Sequence, residues 1–138
     1  MPGKGTELVH AYYEQFLSAP GDLSVADEIL TSDVVFDNPI SPDGIHGVAA
    51  YKEFAERWYT GFPDRLFTVE DTVEEGDKVG AVFTITGTHK GEFMGAAPTG
   101  NPITVRGMNI FHLAGGRIRR VTAFFDARQL HGPIGLDG

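Results

Sequence analysis

Cysteine is absent from all 138 residues. Disulfides and thiol nucleophiles are therefore excluded, and the chain fits a reducing compartment, expected here to be the cytoplasm. Basic side chains are scarce, with 11 Lys and Arg against 19 Asp and Glu and a net charge of −8. That deficit argues against nucleic acid or an anionic membrane as partner, since both are held through clustered cations. The one basic cluster, Arg117, Arg119 and Arg120, is too small and too interleaved with apolar residues to reverse it. The start, MPGKGTELVH, has no apolar run, so neither a signal peptide nor a membrane span is expected. The five histidines (His10, His46, His89, His112, His131) lack metal-ligand spacing and no HExxH occurs, so no metal is expected. A GxSxG nucleophile elbow is also missing. Gly95 to Gly100, GAAPTG, imitates a phosphate loop. Asn101-Pro102 follows where Lys-Ser/Thr is needed, and the segment leads into a strand, so no nucleotide is expected.

What remains is an ordinary globular composition, 41% hydrophobic and 22% charged. The length suits one domain over residues 1–138, burying roughly two thirds of its unfolded surface. Leu8, Val9, Tyr12, Tyr13, Phe16 and Leu17 fall at helical spacing, predicting a helix from a Thr6 cap to about Ser18, ended by Ala19-Pro20-Gly21. Ser24 caps a short second helix, Val25 to Leu30. A short strand, Val34 to Asp37, runs into Asn38-Pro39, and Pro42-Asp43-Gly44 is turn chemistry. A third helix spans Val48 to Tyr59, with Tyr51, Phe54 and Trp58 on its apolar stripe and Gly61 as its stop. Strands follow over Leu66–Glu74, Lys78–His89, Ile103–Leu113 and Arg117–Phe125. Glu75-Gly76-Asp77 joins the first pair, and a Gly/Pro-rich loop (90–101) precedes the last pair. The tail from Ala127 reads as irregular. Helices first and antiparallel strands in succession predict an α+β fold, with a curved sheet wrapped around three N-terminal helices and enclosing an apolar pocket.

The stretch RGMNIFHLAGGRIRRVTAFFD, Arg106 to Asp126, holds the sharpest chemical signal. It reads as two strands joined at Gly115-Gly116 and ending on an acid that follows Phe124-Phe125. Apolar surroundings would raise that carboxyl's pKa, as a general base or acid requires. His112, just across the turn, is its candidate partner. Asp126 could instead cap the segment after the strand, and His112 could face solvent. Strand parity leaves the choice open. Met108, Ile110 and His112 share one face and Gly107, Asn109 and Phe111 the other, and one bulge exchanges them.

Phe36-Asp-Asn-Pro39, Ile45-His-Gly47, Gly87-Thr-His-Lys-Gly-Glu-Phe-Met-Gly95, Pro98-Thr-Gly100 and Gly116-Arg-Ile118 leading to Phe125-Asp126 together resemble the SnoaL-like polyketide cyclase family. That family lies within the nuclear transport factor 2-like superfamily, which also holds ketosteroid isomerase and limonene-epoxide hydrolase. The resemblance implies a cone-shaped α+β fold, commonly a homodimer through the outer sheet face, without a cofactor. It implies a proton-abstracting acid at Asp126, with His112 and Asn38 holding substrate and a helix tyrosine at Tyr13. Trp58, Met108, Ile110, Asn109, Phe124 and His89 complete the expected substrate-binding set. The implied activity is acid–base chemistry on an apolar carbonyl compound, most simply intramolecular aldol cyclisation in polyketide biosynthesis. Epoxide opening and a non-catalytic small-molecule-binding dimer are the alternatives. Asn38 stands where the isomerases carry their base, so steroid isomerisation is not implied. Arg120 and Thr122 replace a glutamate and a tryptophan of many relatives, and Gly107-Met-Asn109 replaces the Arg-x-Asp of the epoxide hydrolases.

Overall fold

A computed structural model describes residues 3–39 and 41–136. The first amphipathic segment forms helix α1 (Lys4–Ala11), capped by Gly3 rather than Thr6, whose hydroxyl and amide instead bind Glu74. The helix then widens into a π-helical turn, Tyr12–Leu17, in which the Ser18 N–H reaches back to the Tyr13 carbonyl at 2.9 Å. Its aromatic and aliphatic side chains, Tyr12, Tyr13, Phe16 and Leu17, are all buried. The end of this turn is held from outside. The buried Arg65 donates to the Leu17, Pro20 and Phe62 carbonyls, and the Tyr59 hydroxyl donates to the Phe16 carbonyl. A guanidinium at a helix C-terminus satisfies carbonyls that have no intrahelical partner and complements the helix dipole.

Helix α2 (Val25–Ile29) passes directly into strand β1 (Leu30–Asn38), longer than the predicted Val34–Asp37 because Leu30 already pairs with Ile118. Pro42-Asp43-Gly44, expected as a turn, lies within strand β2 (Ser41–His46), paired antiparallel to β1. Helix α3 (Val48–Gly61) follows, burying Tyr51, Ala55 and Trp58. Strands β3 (Leu66–Glu75), β4 (Lys78–Thr88), β5 (Pro102–Ala114) and β6 (Arg117–Phe125) then run as an antiparallel meander. At the β5–β6 connection Gly115 and Gly116 both have positive φ, 58° and 79°. That geometry suits a two-residue hairpin and is strained for residues with a Cβ.

The spatial order β2-β1-β6-β5-β4-β3 makes one six-stranded curled sheet. It is not wholly antiparallel as predicted, since β1 lies parallel to β6. The chain can make that pairing because α3 and the meander separate the two strands in sequence. A second departure is the tail, which is helix α4 (Ala127–Ile134) with Leu130 and Ile134 buried; residues 137–138 lie outside the described part. Irregularity was expected from Gly132-Pro133. A proline costs a helix its i−4 hydrogen bond, but so near the helix end the loss is small. The concave face of the sheet closes on α1, the π-turn and α3, and α4 packs against β5. The core between them is aromatic, with Tyr12 contacting Tyr13, Tyr51 and Phe111 edge-to-face at centroid distances of 5.0, 6.1 and 5.1 Å.

Candidate active site

Between the concave face and the helices lies a cavity with about 490 Å³ of empty space, its open mouth included. It is narrow, with only about 40 Å³ able to take the centre of a water molecule. The rings of Phe36, Phe54, Trp58, Phe67, Phe83 and Phe125 form much of its wall, and Leu130 of α4 completes it. Its polar groups are Tyr12, Tyr13, Asn38, Asn109 and the indole N–H of Trp58. Among the described residues no carboxylate, imidazole, ammonium or guanidinium lines it. An ion taken into such a wall would lose its hydration without gaining a counter-charge.

Tyr13 and Asn109 form the polar centre. Tyr13 comes from the π-turn and Asn109 from the inward face of β5, and the Asn109 Nδ2–H donates to the Tyr13 hydroxyl at 2.6 Å. Both side chains are buried, yet Asn109 Oδ1 and Trp58 Nε1 have no partner among the described residues. Buried polar atoms are usually satisfied, so two orphans in one cavity mark a place where a ligand supplies the missing bonds. Burial, reinforced by the neighbouring Tyr12, holds the Tyr13 hydroxyl well above the ordinary phenol range, so it acts as a donor rather than a phenolate. Tyr12 and Tyr51 are likewise raised by burial, and their hydroxyls share a 2.5 Å hydrogen bond behind the cavity.

Of the expected site residues, Tyr13, Asn38, Trp58 and Asn109 meet at this cavity. The others do not. In β5 the inward residues are Val105, Asn109 and Phe111, while Met108, Ile110 and His112 look outward. A register shift between His112 and Leu113 lets both strands keep their apolar residues inside while His112 stays on the outer face opposite Arg120. Desolvation and the nearby Arg119, Lys78 and Arg120 lower the His112 pKa, with Asp77 opposing them. Phe124 is 60% exposed on the same outer face, and its neighbour Phe125 takes the inward place.

Asp126 departs most from expectation. It is the N-cap of α4, accepting the Arg128 N–H at 3.0 Å and the Arg128 guanidinium at 3.2 Å. These hydrogen bonds stabilise the carboxylate and lower its pKa, where a raised value was expected. Asp126 and His112 are not brought together, and neither lines the cavity. His89 is buried elsewhere, its ring 5.5 Å from Phe62 and its Nδ1 accepting the Thr99 N–H. The strand-closing bonds His89 N–H to Asn101 O and Gly100 N–H to His89 O surround it, so it fastens the loop 90–101. Sequence reasoning missed Leu130 because the helix carrying it was not expected. The inward aromatic residues were missed where parity was left open.

The pattern of the SnoaL-like polyketide cyclase family matches residues 7–131. A solved structure from Jannaschia sp. CCS1, described as a candidate SnoaL-like polyketide cyclase, is 25% identical with a TM-score of 0.85, over 98% of this chain and 94% of that one. IdmH from Streptomyces antibioticus, described as a candidate polyketide cyclase, is 27% identical with a TM-score of 0.78, covering 96% and 99%. AclR from Streptomyces galilaeus, described as a candidate hydroxylase, is 27% identical with a TM-score of 0.71, covering 96% and 78%. No curated protein matches the chain. With its cone of sheet and helices and a family pattern across nearly its whole length, the chain belongs to the SnoaL-like polyketide cyclases.

Proposed function

We propose that this protein takes a mostly apolar, uncharged carbonyl compound into the cone and promotes its intramolecular cyclisation without a cofactor. The observation that carries this reading is the buried Tyr13–Asn109 pair, set with Trp58 and Asn38 in an otherwise apolar, aromatic cavity. In it the Tyr13 hydroxyl donates to a substrate carbonyl oxygen and stabilises the charge that develops there as the neighbouring α-carbon enolises, while the aromatic walls hold the chain folded for ring closure. The new C–C bond forms as the α-carbon loses a proton to water at the mouth and the carbonyl oxygen gains one. The family membership and the cyclase relatives support the reaction class, and a wall that holds no carboxylate, imidazole, ammonium or guanidinium among the described residues supports a neutral substrate. Tyr13→Phe should lower turnover of a β-polyketone ester by about 10–100-fold, the worth of a hydrogen bond made to a developing oxyanion. Its Tm should fall by no more than a few degrees, the cost of leaving the buried Asn109 N–H without its acceptor. Unchanged turnover would remove Tyr13 from the mechanism.

A second reading is favoured by one specific observation, since among the described residues no group lining the cavity can accept a proton near neutral pH. A cone without a base suits a small-molecule-binding module. Assaying a panel of carbonyl and epoxide compounds for both binding and turnover separates the two: tight binding with no turnover of any member supports the module. Either reading includes self-association through the convex sheet face, where Val73, Met108 and Phe124 are 70, 44 and 60% exposed.

A further inference from the structure

Tyr13 and Asn109 are bonded to each other, yet each keeps one hydrogen-bonding position uncommitted. The Tyr13 hydroxyl accepts from Asn109, so its own proton is left to donate, and Asn109 Oδ1 has no partner among the described residues. Exchanging the amide N and O of Asn109 merely swaps the roles. Tyr13 would then donate to Oδ1, and the pair would still present one donor from the amide and one acceptor from the hydroxyl. Either way a ligand meets a donor and an acceptor side by side, with the unpartnered Trp58 N–H as a further donor in the same wall. Asn109 and Trp58 are each only 4% exposed, so these positions are hidden from bulk solvent.

A simple ketone answers only the donors, and an enolate brings only acceptors and a charge that no lining cation offsets among the described residues. The group that answers both sides without charge is the enol of a 1,3-dicarbonyl, in which one oxygen is a carbonyl acceptor and the other a hydroxyl donor. Resting on the carbonyl-binding reading above, we infer that the Tyr13–Asn109 pair selects the neutral enol tautomer of a 1,3-dicarbonyl unit. Tyr13 donates to the carbonyl oxygen and Asn109 Oδ1 accepts the enol O–H. Tautomerisation moves one proton from the central carbon to oxygen through solvent, with no net gain or loss of atoms or electrons. The bound enol is then the nucleophilic partner, delivered without a base in the wall. The raised ionisation range of Tyr13 agrees with a site that keeps its hydrogen bonds neutral.

Benzoylacetone and its gem-dimethyl analogue, which has no hydrogen on the central carbon and cannot enolise, test this on the intact protein. Benzoylacetone should bind about tenfold tighter or better, as expected for one additional buried hydrogen bond. Its near-ultraviolet enol absorption should grow on binding, and its affinity should fall as pH rises through its own ionisation. Asn109→Leu should erase the preference between the two diketones, because the acceptor for the enol O–H is lost. Equal affinity of the wild-type protein for both diketones, or an affinity that rises with pH, would overturn the enol inference and leave the carbonyl-binding reading standing. Failure of both to bind would overturn both.

Discussion

A carboxylate at a strand end can be a buried base or a helix cap, and at Asp126 the two roles predict opposite pKa shifts. Desolvation by Phe124 and Phe125 would raise it; the Arg128 amide and guanidinium lower it. The cap prevails because the chain turns into α4 immediately, which points the carboxylate at backbone N–H groups and solvent. Asp126→Asn, itself a good cap, should therefore keep its ligand affinity and turnover, whereas Asp126→Ala should lower Tm by a few degrees. Loss of all turnover in the Asn variant, with Tm retained, would return Asp126 to the catalytic machinery. The neighbouring Phe125 shows how finely this is set. One residue closer to the strand interior, the side chain lines the cavity.

At the scale of elements, the π-turn is what brings Tyr13 to Asn109, and it depends on Arg65. This buried guanidinium has no carboxylate in ion-pair contact among the described residues and spends its donors on the carbonyls of Leu17, Phe62 and Pro20, with its face 3.9 Å from the Tyr59 ring centroid. Arg65→Met keeps the aliphatic stem but strands those carbonyls. Urea unfolding should show a loss of about 2–4 kcal/mol, the cost of several buried acceptors left without donors. Ligand affinity should fall with it, because Tyr13 sits on the segment that loosens. Sequence periodicity located this helix but could not reveal its π-turn, since the same apolar stripe fits an ordinary α-helix.

Over the whole molecule, packing α1, the π-turn and α3 into the sheet buries phenols together. All four tyrosines, Tyr12, Tyr13, Tyr51 and Tyr59, have their ionisation raised, in each case chiefly by burial. A phenol whose folded pKa lies above its unfolded value near 10 contributes stability that is fully present below pH 10 and lost as pH rises beyond it. Phenolate absorbance should thus appear late and together with loss of the fold; early ionisation in a still-folded protein would contradict this packing. On the convex face, Phe124→Lys should make the protein sediment as a monomer while leaving ligand binding intact, and a monomeric wild-type protein would refute that association surface. The family, the α+β class, the helix stripes and the strand succession were legible in the sequence, because periodicity and turn residues report local geometry directly. The GTHKGEFMG stretch and its companions carried the rest of that recognition. Which face of β5 looks inward was decided only by the tertiary structure. It follows from where the bulge falls at His112 and Leu113, and a one-residue offset in pairing exchanges Asn109 for His112. The parallel β1–β6 contact and the α4 cap that claims Asp126 likewise depend on segments meeting in space, which no local pattern records.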